Sequence, residues 1–61
     1  MESWGPKKLL SVEEVAEALD MSVVTLNKWR CKRIGPPYFK LGASVRYRWG
    51  DVQAWLETQR V

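Results

Sequence analysis

Ser11 and Ser22 each open a short run in which apolar residues recur at helical spacing, and only a few residues separate the two runs. Ser11 is followed three residues later by Glu14, the spacing of a capping box, in which the Ser and Glu side chains each accept from the other's backbone NH. A first helix is therefore expected to begin at Val12, with Val15, Ala16 and Leu19 completing one apolar stripe. At about two turns it is too short to stand alone and has to lie against other parts of the chain. After Asp20 and Met21, Ser22 supplies a second cap with Thr25 at its N3 position, and the new helix turns Leu26 and Trp29 inward.

Capped helix, three-residue break, capped helix is the pattern of a helix-turn-helix, although an ordinary helical hairpin in a small core fits this half of the chain equally well. A helical wheel on Ser22 to Arg33 places Val24, Asn27, Lys28 and Cys31 opposite Leu26 and Trp29. These residue types suit the major groove. Asn27 can offer a paired donor and acceptor to an adenine edge, Lys28 can reach guanine or phosphate, and Val24 can touch a thymine methyl. Taken singly, an exposed valine is better explained as an incidental surface residue.

Sixty-one residues make one domain, whose small core has to be dense in large side chains. Of the four tryptophans, Trp29, Trp49 and Trp55 fall where the local pattern points inward, whereas Trp4 lies in the polar stretch Met1 to Lys8. Residues 1–8 are expected to form a flexible arm, with Trp4 outside the main core, and residues 9–61 the folded domain. No apolar run is long enough for a transmembrane span and no signal-peptide core follows the arm, so a soluble, intracellular chain without membrane contact is expected. A single cysteine, Cys31, leaves no internal disulfide, and with no histidine a zinc site would lack ligands. Metal binding is therefore not expected, and no cofactor is implied.

The net charge of +3 is modest, but its distribution is uneven. Glu13, Glu14, Glu17 and Asp20 lie on the first helix, and Asp51 and Glu57 on the last. Lys28, Arg30, Lys32, Arg33, Lys40, Arg46 and Arg48 run through the middle. One basic face results, which fits a nucleic-acid partner.

Ile34-Gly35-Pro36-Pro37 ends the second helix, Gly35 permitting a left-handed cap and the prolines forbidding continuation. Tyr38–Leu41 and Val45–Arg48 are short strand-forming runs around Gly42-Ala43-Ser44, a β-hairpin that would serve as a wing. If Leu41 pairs with Val45, Phe39 faces Tyr47 on an apolar side, Lys40 faces Arg46 on a cationic side, and Tyr38 lies opposite Arg48. Two like charges opposite each other are better tolerated with a phosphate between them. A closing helix is expected over Asp51 to Gln59, with Val52, Trp55 and Leu56 on its apolar face and Trp49 preceding it as a staple. The fold class is thus α+β: two helices, a two-stranded wing and a C-terminal helix.

The segments LLSVEEVAEAL, SVVTLNKW, GPPYFKLG, VRY and DVQAWL, in that order from Lys8 to Glu57, closely resemble the excisionase-type helix-turn-helix family, a branch of the MerR-like winged helix fold. Small excisionases of actinobacteriophages consist of this module with little else, which fits a chain of this size. The resemblance implies a recombination directionality factor that binds tandem sites beside an attachment core, bends the DNA and lets an integrase excise the prophage, breaking no bond itself. It implies double-stranded DNA, a phage integrase and neighbouring copies of the same chain as partners, in the cytoplasm of a bacterial host. The candidate DNA-binding residues are Val24, Thr25, Asn27, Lys28, Arg30 and Lys32 on the second helix and Lys40, Arg46 and Arg48 on the wing. The family's wing tip often carries Arg or Lys after the glycine, whereas Ala43 and Ser44 follow Gly42 here, leaving the strands to supply the wing's charge.

The same module occurs in small transcription regulators, and these residues fit both. A different class, a protein-interaction module docking a recombinase through the basic face, lacks the buried aromatic anchor usual in such an interface. An enzyme has no candidates: there is no histidine, no nucleophile beside a base, no glycine-rich phosphate loop and no paired carboxylates.

Overall fold

The structure, a computed structural model, describes residues 4–61. In chain order it contains strand β1 (Leu9–Leu10), helices α1 (Val12–Ala18) and α2 (Val23–Lys32), strands β2 (Phe39–Leu41) and β3 (Ser44–Arg48), and helix α3 (Trp49–Glu57). The expected capping box opens α1: the Ser11 amide donates to Glu14 Oε1 at 2.9 Å and the Glu14 amide to Ser11 Oγ at 3.1 Å. Asp20 makes the turn between the helices in the left-handed region, φ 55, while the Met21 amide returns to the Ala16 carbonyl at 2.8 Å. Aspartate is one of the few side chains that enters this region readily. Ser22 then caps α2 by accepting from the Thr25 amide at 3.1 Å.

The far end of α2 differs from expectation. Gly35 was expected to carry the left-handed cap, but the helix already ends at Lys32, and the residue directly after it, Arg33, turns left-handed at φ 59. That turn lets the Ile34 amide close back on the Trp29 carbonyl at 2.9 Å. Gly35, at φ 87, serves another need: a Cβ there would stand 2.8 Å from Trp29 Cε3.

The hairpin forms, but one residue out of the expected register. Phe39 pairs with Arg46, Lys40 with Val45 and Leu41 with Ser44, so the loop is the two residues Gly42-Ala43, not Gly42-Ala43-Ser44. Gly42, at φ 63, takes the first loop position, as in the primed two-residue turns whose twist matches that of the strands. The slip turns β2 over relative to β3. The expected pairs Leu41–Val45, Phe39–Tyr47, Lys40–Arg46 and Tyr38–Arg48 are all absent. By alternation, Tyr38 and Lys40 share the helix-facing side with Val45 and Tyr47, and Phe39 and Leu41 share the outer side with Arg46 and Arg48. The wing is also not two-stranded alone: β1 pairs antiparallel with β3, Leu10 against Tyr47, giving a sheet of order β1-β3-β2.

Helix α3 begins at Trp49, not Asp51, and ends at Glu57, so Trp49 is its first residue and not a staple before it. Its N-cap, Arg48, makes no side-chain capping bond. Instead the Trp49 amide donates to the Lys8 carbonyl at 2.9 Å and the Gly50 amide to the Pro6 carbonyl at 2.8 Å. The segment expected to be a loose arm thus supplies this cap over its described part, and Trp4 packs edge-on against Trp49 with centroids 5.3 Å apart, joining the margin of the core. Residues 1–3 of that arm lie outside the described residues. A Cβ on Gly50 would meet the Pro6 carbonyl oxygen at 2.9 Å. Gly50→Ala is therefore expected to lower the melting temperature, by about 1 kcal/mol of stability, although helix propensity alone would raise it by a similar amount. A thermal melt checks the sign.

Leu10, Val15, Ala16, Leu26, Tyr47 and Val52 form the buried core, drawn from every element except β2. Trp29 packs on its edge and carries Trp55 at 5.6 Å between centroids. Leu56 does not join it: at 44% exposure it lies beyond the inward face that Val52 defines, correcting the expected stripe.

Candidate nucleic-acid interface

Helix α2 contains no acidic residue, and its exposed side carries Val24, Asn27 and Lys28, which with Cys31 and Lys32 line one shallow groove. Leu26 is fully buried directly behind this face, so packing fixes which residues look outward. Val24 is 60% exposed, and it shares this groove with Asn27 and Lys28. Apolar contact, bidentate hydrogen bonding and positive charge side by side are what a base edge flanked by phosphates requires.

The other sequence-derived candidates are placed less simply. Thr25 is half-buried, and its hydroxyl lies 2.9 Å from Ser22 Oγ, engaged in the cap. Arg30 turns toward the hairpin: Nη1 donates to the Tyr47 hydroxyl at 3.3 Å and the guanidinium lies 5.8 Å from the centre of the Tyr38 ring. Arg48 forms an ion pair with Asp51 at 3.2 Å and stacks over Phe39 at 5.1 Å. Arg46 donates to the Val45 carbonyl at 2.7 Å. It also lies near enough to Glu14 to be felt there: the Ser11 amide bond is the main cause holding the Glu14 carboxyl below its ordinary 4.5, and the charges of Lys8 and Arg46 add to it.

Lys40 and Arg46 therefore do not face each other across the strands, and a single phosphate bound between them is excluded by the register. The wing is cationic on both sides, with Lys40 toward the helices and Arg46 and Arg48 outward. Arg33 was not among the candidates, yet it is exposed at the end of α2, shares a concavity with Arg30 and Tyr38, and has no acidic partner among the described residues. Its place directly after the helix was the available signal.

Asn27→Ala and Lys28→Ala are each expected to cost about 1–3 kcal/mol on a selected site and less on random duplex, so that the specificity ratio falls. Fluorescence anisotropy against both duplexes measures this, and equal losses on both would remove these residues from base reading.

A family model described as a helix-turn-helix domain matches residues 9–60. No curated protein matches the chain at a significant level. Among the described residues, no helix is long and apolar enough to cross a membrane.

Proposed function

The chain belongs to the helix-turn-helix domain family, a DNA-binding family, and from that premise we propose that it is an excisionase-type recombination directionality factor of MerR-like winged helix form. It binds tandem sites beside a phage attachment core in a bacterial host, bends the DNA, and directs an integrase toward excision without breaking a bond itself. The observation that carries the DNA contact is the acid-free outer face of α2, where Val24, Asn27 and Lys28 stand together. The directionality role is supported by the order of segments from LLSVEEVAEAL to DVQAWL, which resembles that family over most of the chain. Exposed Glu13 and Glu17 on α1 and Asp20 in the turn after it, set against the basic α2, support side-by-side assembly of copies on DNA.

Footprinting on DNA of the host locus tests the role. Tandem protected repeats flanking an attachment core are expected, and a single palindrome over a promoter would identify a transcription regulator instead. Sedimentation of the free protein is expected to show one monomeric species. A stable free dimer at micromolar concentration would point the same way as the palindrome.

A further inference from the structure

Arg30 has the sequence signature of a phosphate ligand, a cation near the end of a DNA-reading helix, but its surroundings differ from those of the other cations on α2. Lys28 and Lys32 are exposed, whereas Arg30 is half-buried and directed across the molecule at the wing. Its Nη1 donates to a tyrosine hydroxyl seventeen residues away in sequence. Tyr47 is 1% exposed, so that hydroxyl sits on a fully packed ring, and Arg30 is its hydrogen-bond partner among the described residues. The guanidinium also covers the Tyr38 ring, and Tyr38 stacks at a tilt against Tyr47 with centroids 6.0 Å apart. Tyr47 lies in β3 and Tyr38 directly precedes β2, so one side chain of α2 touches β3 and the entry to β2.

We propose that Arg30 is a positioning residue, the brace that sets the distance and angle between the base-reading face of α2 and the wing through the Tyr47 hydroxyl and the Tyr38 ring. The proposal rests on the DNA-binding role above and changes what one of its residues does. Two surfaces that must meet one DNA duplex together gain affinity when their relative placement is set before binding. A guanidinium suits this task because its planar fork can donate to an oxygen while stacking on an aromatic face. The donor is charged, so even at 3.3 Å the loss of this bond is worth up to about a tenfold change in a coupled equilibrium.

Tyr47→Phe, Arg30→Met and the double variant test this. Tyr47→Phe removes one oxygen and keeps both the core ring and the Arg30 charge, so it is silent if Arg30 serves as a phosphate ligand. As a brace component it should weaken binding to a selected site by up to about tenfold at a temperature well below the melt, with the salt dependence unchanged. The double variant should bind no worse than Arg30→Met alone, because both remove the same link. The outcome that overturns the brace is Tyr47→Phe binding as the parent does while Arg30→Met lowers the slope of log affinity against log salt by about one. Loss of melting temperature with unchanged affinity in both variants also overturns it, since the contact would then be structural only. A parent protein that binds no duplex at all would defeat the DNA-binding role itself. In that case the free protein still reports on the brace, because the Arg30 guanidinium NH resonances should shift and exchange faster in Tyr47→Phe, and resonances unmoved by the substitution would show that the link does not exist.

Discussion

Gly35→Ala is expected to destabilise the domain by about 2–5 kcal/mol, a large share of the roughly 3–9 kcal/mol typical for a chain of this length. Two costs combine. An L side chain at φ 87 is strained, and the new Cβ would stand 2.8 Å from Trp29 Cε3 and 3.2 Å from Trp29 Cβ. The second distance is decisive, because a Cβ cannot move without its helix, and Trp29 is held between the core and Trp55. Gly42→Ala provides the comparison: its φ is 63, but nothing lies within 4 Å of the added carbon, so it carries only the backbone cost of about 1–2 kcal/mol. Urea titrations of the two variants should therefore differ in midpoint, Gly35→Ala being the weaker. Equal losses would show that the Trp29 approach is not tight.

Binding is expected to fall by about 250-fold between 50 and 200 mM salt, the second large effect. Ion pairing within the protein sets the number of cations left for phosphates. Among the cations of α2, its C-cap and the wing, Arg48 is held by Asp51 and Arg30 by the tyrosines, which leaves Lys28, Lys32, Arg33, Lys40 and Arg46. Four or five contacts give a slope of log affinity against log salt of about −4, and a slope near zero would defeat the nucleic-acid assignment. Within that total, Arg46→Ala should weaken selected and random DNA alike and lower the slope by about one. An unchanged slope in a folded variant would mean that Arg46 answers to Glu14 and not to DNA.

Local chemistry made the helical half of this fold legible. Ser11 with Glu14, and Ser22 with Thr25, specify two helix starts by hydrogen bonds spanning three residues, and the buried positions Val15, Ala16 and Leu26 follow from helical spacing. The outward placement of Val24, Asn27 and Lys28 was legible for the same reason, since burying Leu26 leaves the opposite side of α2 exposed. Gly35-Pro36-Pro37 likewise marked where that helix had to stop.

Tertiary structure decided what depends on partners distant in sequence. Both Gly42-Ala43 and Gly42-Ala43-Ser44 make acceptable loops, and alternation within each strand is the same in either case, so the register was set by Tyr47 packing into the core with Leu10 beside it on β1. That choice turned Phe39 and Leu41 outward and separated Lys40 from Arg46. The start of α3 has no capping side chain to announce it, because its open amides are met by carbonyls of Pro6 and Lys8, some forty residues earlier. Arg30 looked like any other cation on α2 until the fold brought Tyr38 and Tyr47 to it. Capping and helical periodicity act within a turn or two of the chain and are written in adjacent residues, whereas register, docking of the terminal segment and the partners of a long cationic side chain are settled only when distant surfaces compete for the same core.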